Sequence, residues 1–316
     1  MELAVLDAAT FGDIDISALD QLGNCRTYQH TPSERILDHV GSAEIVVTNK
    51  VPFKEETMRA CPQIRMICVA ATGTNNIDLD HARRSKISVC NVPDYATKSA
   101  VSHTLALYFQ LAHHMNYLND YCRSGSWTRS NIFTHLDRPF RSIHTVTWGV
   151  VGMGAIGRAV ADAVSGLGAK VVYHSTSGAN LQQPYEQLSL DALVQCVDVI
   201  SLHAALNSRT RSLFNGKVLA RMKPNALLIN VARGGLVNSQ DLAHVLLEGR
   251  IGGAGIDVLP EEPPPADEPL LRVNNQRLVM TPHVAGLSVD AREALVREVV
   301  ANVQAFQAGS IRNSVL

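Results

Sequence analysis

The sequence lacks the features that mark secreted, membrane-bound or nucleic-acid-binding proteins. Its six cysteines are scattered without a CxxC pair, so they predict neither a disulfide framework nor a metal site. A formal net charge of −1 offers no basic surface for nucleic acid or an anionic membrane. The acidic N-terminus has too short an apolar run for a secretory signal, and the longest apolar region is interrupted by four glycines. A cytoplasmic enzyme is the class that remains.

The order of apolar segments indicates an α/β protein with two domains, as the length of 316 residues also suggests. Short β-branched runs alternate with helical stretches, which is typical of doubly wound parallel sheets. We predict domains of 1–96 plus 287–316 and of 97–286. The predicted strands are 3–7, 44–49, 64–70 and 87–92 in the first series, and 145–152, 170–174, 196–204, 226–232, 253–259 and 278–284 in the second.

Two helical segments carry more specific predictions. The stretch TPSERILDHV predicts a helix that is capped by Thr31, has Pro32 at its first position and closes a capping box with Glu34. Residues 98–122 predict one long apolar helix, which is followed by a polar, loop-like segment.

A glycine pattern at the start of the second series predicts a dinucleotide site. The sequence GVVGMGAIGRA fits G-x-G-x-x-G at Gly152, Gly154 and Gly157, between an apolar strand and a helix. Gly152 permits the tight turn, Gly154 lets backbone approach a phosphate, and Gly157 lets the helix pack on the strand. The alternative is a plain strand–turn–helix with small residues for packing. The register of all three glycines at the strand–helix junction favours the dinucleotide.

The stretch VVYHSTSG bears on which dinucleotide binds. An Asp or Glu about 20 residues after the glycine pattern usually holds the adenosine ribose, but this chain has His174, Ser175, Thr176 and Ser177 there. A carboxylate would repel a 2′-phosphate, whereas these side chains can donate to one. No arginine stands in the loop to hold a phosphate firmly. The pattern therefore predicts NADP(H) or NAD(H) as cofactor and favours NADP(H).

Three polar motifs follow strands of the second series, where such sheets bind ligands: INVARGGLV with Arg233, IDVLPEEPPP with Glu261 and Glu262, and MTPHVAG with His283. Reduction of a 2-keto acid needs a cation for the carboxylate and carbonyl, and an acid for the oxygen. Arginine suits the first task, and a histidine beside a carboxylate suits the second. A helix-capping arginine, an exposed histidine and a polar linker are the plainer alternatives. The joint occurrence of the motifs favours catalysis.

Together these motifs resemble the D-isomer-specific 2-hydroxyacid dehydrogenases over nearly the whole chain. The elements that carry the resemblance are, in family order, ATGTNNID, GMGAIG, SLHAAL, INVARGG, GAGIDVLPEEPPP and TPHVAG. The stretches TNKVPF, NVPDYAT, SGSWTRS and DVLPEEPPPADEPLL are most similar to the hydroxypyruvate reductase/glycerate dehydrogenase branch. The resemblance implies two Rossmann-like domains, a substrate-binding one (1–96 plus 287–316) and a dinucleotide-binding one (97–286), with the active-site cleft between them.

The resemblance also implies a role for individual residues. Arg233 would bind substrate, and Glu262, which precedes a proline, would pair with the proton donor His283. Backbone contacts with the substrate carboxylate are implied for Thr72 and Gly73. Cofactor contacts are implied for Ala155, Ile156, Ala204, Leu206, Val231, Ala232 and Asp257; for the apolar ones core packing is a compatible alternative.

Several assignments remain open at this point. Lys50 is either a cleft residue or a solvated surface lysine, and His103 is either near the active site or a hydrogen-bonded core histidine outside the catalytic set. Segment 98–141 resembles the family's dimerisation region and carries Trp127, Phe133 and Phe140, so we expect a homodimer; packing onto its own domain is the alternative. Phosphoglycerate, lactate, formate or phosphite are alternative substrates, and a non-catalytic dinucleotide-sensing protein is an alternative function.

Overall fold

The computed structural model describes residues 1–274 and 276–316, which divide into two compact units. Unit 1 comprises Met1–Ala96 and Leu287–Leu316, and unit 2 comprises Thr97–Gly286. Each unit is built on one parallel sheet, which confirms the predicted α/β fold class. Among the described residues, no helix combines the length and hydrophobicity that a membrane span requires.

Unit 1 has a five-stranded sheet in the order β2-β1-β3-β4-β5. Its strands are β1 Glu2–Val5, β2 Asn24–Thr27, β3 Ile45–Thr48, β4 Met66–Val69 and β5 Ser88–Cys90. Its helices are α1 Ile36–Val40, α2 Glu55–Ala60, α3 Leu79–Arg84 and, in chain order the last of the protein, α10 Val289–Gln307.

Both faces of the unit 1 sheet are buried, which explains why its inner strands are mostly apolar. Leu3 and Val5 of β1 pack in one cluster with Leu295 and Val299 of α10. Ala4, which points to the opposite face, packs in a second cluster under α1, α2 and α3. The C-terminal helix therefore completes the core of the N-terminal unit.

The predicted capping box at Thr31 is wrong. Residues Ser33–Arg35 form a 3₁₀ turn before α1, and neither element has a side-chain cap at its N-terminus. The Thr31 hydroxyl donates to the Leu6 carbonyl instead, and lies 2.9 Å from His39 Nδ1. A tertiary partner thus satisfies the hydroxyl that the local pattern assigned to the helix.

Unit 2 has a seven-stranded sheet in the order β12-β11-β10-β9-β6-β7-β8. Its strands are β6 Thr147–Val151, β7 Lys170–His174, β8 Glu186–Gln187, β9 Val199–Leu202, β10 Leu227–Asn230, β11 Gly253–Ile256 and β12 Leu278–Met280. Its helices are α4 Thr97–Ala112, α5 Met115–Arg123, α6 Ala155–Gly166, α7 Leu190–Cys196, α8 Gly216–Leu219 and α9 Ser239–Leu247. The strand order reverses between β6 and β9, and ligands of doubly wound sheets bind at that reversal.

The single long helix predicted over 98–122 is wrong, since the structure has two helices there. Helix α4 ends at Ala112 and α5 begins at Met115. Between them His114 takes a left-handed conformation with φ 53°, which a right-handed helix cannot continue. Leu107, Tyr108 and Leu111 bury α4 against the sheet, whereas α5 has no buried residue.

Candidate active site

The loops after β6 and β9 touch at the reversal of strand order. Gly152 directly follows β6 and has φ 94°, and its amide donates to the His174 carbonyl at 2.9 Å. A Cβ built on Gly152 would lie 2.6 Å from the Ala204 amide nitrogen, and one on Gly157 would lie 2.0 Å from the Gly152 carbonyl oxygen. Gly152 therefore has to be glycine for the two loops to meet, and Gly157 has to be glycine for α6 to pack on the turn that precedes it.

Helix α6 presents an open N-terminus at this place. Its N-cap residue, Gly154, supplies no side-chain cap, so the first amides of the helix, beginning with Ala155 and Ile156, are available to a ligand. A Cβ on Gly154 would meet nothing within 4 Å, so open space lies in front of these amides. Backbone donors at a helix N-terminus bind anions. This arrangement fits the pyrophosphate of a dinucleotide.

The end of β7 contains the residues at the predicted ribose position. Ser175 Oγ donates to the Ala179 carbonyl at 2.6 Å, and His174 Nδ1 donates to the Leu188 carbonyl at 3.1 Å. Ser177 Oγ accepts from the Ala179 amide at 3.2 Å, so its own proton stays available. The structure thus leaves hydroxyl donors and the His174 Nε2 atom at this position, without a carboxylate from residues 174–178.

The loop after β10 is shaped by Asn230, a buried residue that the sequence interpretation missed. Its side chain accepts from the Ala232 amide at 3.1 Å and donates to the Arg233 carbonyl at 2.9 Å. The signal in the sequence is a single amide residue at the end of an apolar strand. Of the predicted cofactor contacts here, Val231 is buried and Ala232 is half-buried; in the SLHAAL segment, Ala204 is buried and Leu206 is half-buried.

Arg233 lies half-buried in this loop, and its Nη1 donates to the Ala232 carbonyl at 2.7 Å. A Cβ on Gly234 would lie 2.0 Å from the Leu259 carbonyl carbon, so the loop packs directly against the segment after β11. That segment leads to Glu262. The structure therefore brings the loop of the predicted substrate-binding arginine against the segment of the predicted carboxylate.

Glu262 and His283 form a hydrogen-bonded pair. His283 Nδ1 lies 2.6 Å from Glu262 Oε2, and the other carboxylate oxygen accepts from the Leu259 amide at 3.0 Å. An ionised carboxylate only accepts, so Nδ1 carries the proton of this bond and Nε2 is free to transfer one. The two side chains are 31% and 36% exposed, so a ligand can reach them.

Asp257 holds the segment that carries His283. Its carboxylate is almost fully buried and accepts from the Val284 amide at 2.8 Å, the Ala285 amide at 2.9 Å and the Thr281 hydroxyl at 2.6 Å. Its carbonyl accepts from the His283 amide at 2.7 Å. His283 itself has a left-handed backbone, with φ 55°. The aspartate thus fixes the turn in which the histidine sits.

His103 of α4 also reaches this carboxylate. Its Nε2 lies 3.3 Å from Asp257 Oδ1 and 2.9 Å from Thr281 Oγ1. Burial raises the pKa of Asp257, but the hydrogen bonds from His103, Thr281 and the two backbone amides outweigh it and hold the pKa below its ordinary value. Asp257 is therefore a buried carboxylate that stays ionised.

His203 is a half-buried histidine that directly follows β9 in unit 2. Both ring nitrogens are inaccessible to solvent and have no hydrogen-bond partner. Burial lowers the pKa of His203 to about 3, so the ring is neutral at physiological pH. It directly precedes Ala204 in the loop that touches Gly152.

Thr72 and Gly73 follow β4 of unit 1. The Thr72 hydroxyl donates to the Val92 carbonyl at 2.9 Å, and the Thr72 carbonyl accepts from the Asn91 side chain at 2.6 Å. These bonds leave the local backbone amides for the predicted carboxylate contact, which stays a prediction. Lys50 is exposed, and its amide donates to the Asp7 carboxylate at 2.6 Å.

The described residues contain no group of three or more histidine, cysteine, aspartate or glutamate side chains that could hold a metal ion.

Comparison with known proteins adds a family relationship to this geometry. Residues 105–285 match the NAD binding domain of the D-isomer specific 2-hydroxyacid dehydrogenases. The chain is 34% identical over 322 residues to a hydroxypyruvate reductase from Blautia hydrogenotrophica, covering 100% of this chain and 99% of the relative. It is 37% identical over 286 residues to a glycerate dehydrogenase from Methylorubrum extorquens, covering 90% of this chain and 89% of the relative.

Solved structures show the same similarity. An NADPH-dependent glyoxylate/hydroxypyruvate reductase from Sinorhizobium meliloti, in complex with NADP and malonate, is 26% identical with a TM-score of 0.84, over 99% of this chain and 96% of that one. A D-lactate dehydrogenase from Lactobacillus jensenii, with NAD⁺, is 26% identical with a TM-score of 0.82, over 100% and 99% of the two chains.

Proposed function

Because the chain belongs to the D-isomer specific 2-hydroxyacid dehydrogenases, and is thus a nicotinamide-dependent oxidoreductase, we propose that it reduces hydroxypyruvate or glyoxylate, the reaction of a D-glycerate dehydrogenase. Relatives that match nearly its full length are named hydroxypyruvate reductase and glycerate dehydrogenase, which supports a small 2-keto acid as substrate. The observation that carries the chemistry is the 2.6 Å hydrogen bond between Glu262 and His283.

The proposed mechanism uses three side chains, those of Arg233, Glu262 and His283. The guanidinium of Arg233 binds the substrate carboxylate and polarises the C2 carbonyl. A bound nicotinamide cofactor supplies the hydride that goes to C2. His283, held at Nδ1 by Glu262, gives the Nε2 proton to the C2 oxygen, so the keto group becomes a hydroxyl. The negative charge of Glu262 stabilises the protonated ring before the transfer and orients it.

For the cofactor we propose NADP(H) in preference to NAD(H). The support comes from the end of β7, where Thr176 and Ser177 offer hydroxyl donors and no carboxylate from residues 174–178 would repel a 2′-phosphate. A carboxylate at this place accepts bonds from both ribose hydroxyls in NAD-dependent proteins. Ser175 has a single, uncharged oxygen, whose proton goes to the Ala179 carbonyl, so it lacks the second acceptor and the negative charge of a carboxylate.

We also propose that the protein is a cytoplasmic homodimer. Between α5 and β6 the chain exposes large apolar side chains: Trp127 at 51%, Ile132 at 53%, Phe133 at 89%, Leu136 at 70% and Phe140 at 51%. A concentration of such groups on one segment is typical of a surface that another protein covers. The low net charge and the scattered free cysteines support a cytoplasmic location.

A substrate panel tests the proposed function. Oxidation of NADPH and of NADH is followed with hydroxypyruvate, glyoxylate, pyruvate and 3-phosphohydroxypyruvate. We expect the highest kcat/KM with hydroxypyruvate or glyoxylate, and a higher value with NADPH than with NADH. A highest value with pyruvate or with the phosphorylated acid would contradict the substrate assignment without affecting the family assignment.

A further inference from the structure

Two glycines of β11 bring helix α4 unusually close to the sheet. A Cβ on Gly255 would lie 2.9 Å from the Leu107 Cβ, so only a residue without a side chain allows this approach. His103 lies one helical turn before Leu107, and Asp257 follows Gly255 by two residues. The close packing therefore places His103 Nε2 within 3.3 Å of the Asp257 carboxylate.

The hydrogen atoms shared by His103, Thr281 and Asp257 can be assigned from which atoms donate and which accept. The Asp257 carboxylate is ionised and only accepts, so the hydroxyl proton of Thr281 points to it over 2.6 Å. The Thr281 oxygen must then accept from His103 Nε2 at 2.9 Å. His103 therefore carries a proton on Nε2, which it shares between the Thr281 oxygen and the Asp257 carboxylate.

The orientation of the Asp257 carboxylate decides the shape of the turn around His283. One oxygen accepts from Thr281, His103 and the Val284 amide, and the other accepts from the Ala285 amide. The hydrogen bonds of the Val284 and Ala285 amides thus depend on how the Asp257 carboxylate is rotated. His103 lies on α4, outside this turn, and its contact with the carboxylate restricts that rotation.

We propose that His103 is a positioning residue for the proton donor His283, acting through Thr281 and Asp257. The inference rests on the proposed function, because it assumes that His283 transfers the proton. Loss of the Nε2 donor frees the carboxylate to rotate, and the left-handed turn at His283 loosens. An open cavity of about 370 Å³ borders His103 and Thr281, so water can replace the lost donor without fixing its direction.

The test compares His103→Phe, which keeps a flat ring and removes the donor, with His103→Gln, whose amide can reach the Nε2 position. Ser102→Ala, an exposed neighbour on α4, is the control. For His103→Phe we expect kcat to fall about tenfold with KM for the 2-keto acid near wild type, since small misplacements of a reacting group are costly. We expect His103→Gln to stay within about threefold of wild type.

Hydrogen exchange of the cofactor-free protein gives a readout that is independent of turnover. We expect the Val284 and Ala285 amides to exchange about tenfold faster in His103→Phe than in wild type and in His103→Gln. Thr281→Val should repeat the effect of His103→Phe, and Thr281→Ser should not; this second pair decides the matter if His103→Phe does not fold.

The proposal is overturned if His103→Phe exchanges and turns over like wild type, or if His103→Gln is as defective as His103→Phe. A wild-type protein without activity on any 2-keto acid would refute the proposed function instead, while faster exchange confined to these two amides would still show that His103 orders the turn.

Discussion

Histidines of unit 2 show how strongly the surroundings decide what one side chain does. His283 donates from Nδ1 to a carboxylate at 2.6 Å and remains accessible, so a ligand can meet its other ring nitrogen. His103 donates to a threonine and an aspartate and serves as a fixed donor. His203 has no partner, and burial lowers its pKa to about 3. The same residue type therefore supplies the proposed proton donor, a hydrogen-bond donor to a buried carboxylate and a ring without polar contacts.

The low pKa of His203 predicts a pH-dependent loss of stability. In the unfolded chain this residue has the ordinary pKa of 6.5, so below that pH the unfolded state binds one proton more than the folded state. The free energy of unfolding then falls by up to about 1.4 kcal/mol per pH unit until the pH approaches 3. We expect the free energy of unfolding of His203→Leu to lack this contribution to its pH dependence. Urea unfolding of both proteins at several pH values between about 6 and about 4 measures it; curves that run parallel would contradict the prediction.

Ser175 gives a direct test of cofactor preference. An aspartate there would repel a 2′-phosphate and accept from ribose hydroxyls, so we expect Ser175→Asp to lower kcat/KM with NADPH by about tenfold or more and to favour NADH. Ser175→Ala is the control for the lost bond to the Ala179 carbonyl and should keep the wild-type preference. If Ser175→Asp leaves the NADPH/NADH ratio unchanged, this position does not select the cofactor.

At the level of elements, the turn between β6 and α6 contains glycines of two kinds. Gly152 and Gly157 are required by the packing of the fold, whereas Gly154 is required only if a ligand approaches the turn. A Cβ on Gly152 or Gly157 would collide with backbone, at 2.6 and 2.0 Å respectively. A Cβ on Gly154 would meet nothing within 4 Å. The packing of the protein therefore does not require glycine at position 154, but a ligand in the space before the helix N-terminus would.

We therefore expect Gly154→Ala to fold with a free energy of unfolding within about 0.5 kcal/mol of wild type, because the methyl group meets no atom of the protein. The dissociation constant of NADPH should rise about tenfold or more, because the methyl group lies where backbone must approach a phosphate. Titration by cofactor fluorescence measures this change. Gly166→Ala, at the far end of α6 and equally free of contacts, should bind like wild type; equal binding by both variants would place the phosphate elsewhere.

Which elements the sequence could predict depends on burial. The strands buried on both faces, such as β3 and β9, are mostly apolar and were predicted near their observed bounds. The edge strands β2 and β8 are missing from the prediction because their residues, NCRT and EQ, are polar and partly exposed. The break between α4 and α5 depends on the backbone of His114 alone, and no glycine or proline marks it.

The same distinction applies to the candidate site. The loops of Arg233, Glu262 and His283 could be predicted because polar residues directly follow apolar strands, and such loops share one edge of the sheet. The link from His103 to Asp257 could not, since 154 positions separate the two residues in the numbering and only the packing of α4 on Gly255 joins them. Asn230 was missed because its effect is to shape a loop and not to contact a ligand directly.

At the scale of the whole molecule, the exposed apolar segment predicts association of two chains. Phe133 is 89% exposed, so Phe133→Asp removes apolar surface without affecting the core of unit 2. We expect light scattering to give wild type twice the mass of one chain and Phe133→Asp the mass of a single chain. Leu37→Asp, a half-exposed position on α1, is the control and should remain dimeric. A single-chain mass for the wild-type protein would refute the homodimer.

Hydride reduction of a small 2-keto acid, with His283 as the proton donor, is the central proposal for this protein. Its most direct test is the kcat of hydroxypyruvate reduction by wild type, His283→Ala and Arg233→Ala at saturating cofactor. We predict turnover by wild type and a loss of about 100-fold or more in each variant, with unchanged thermal unfolding. Near-full turnover by His283→Ala would contradict the account, because the proton would then come from elsewhere.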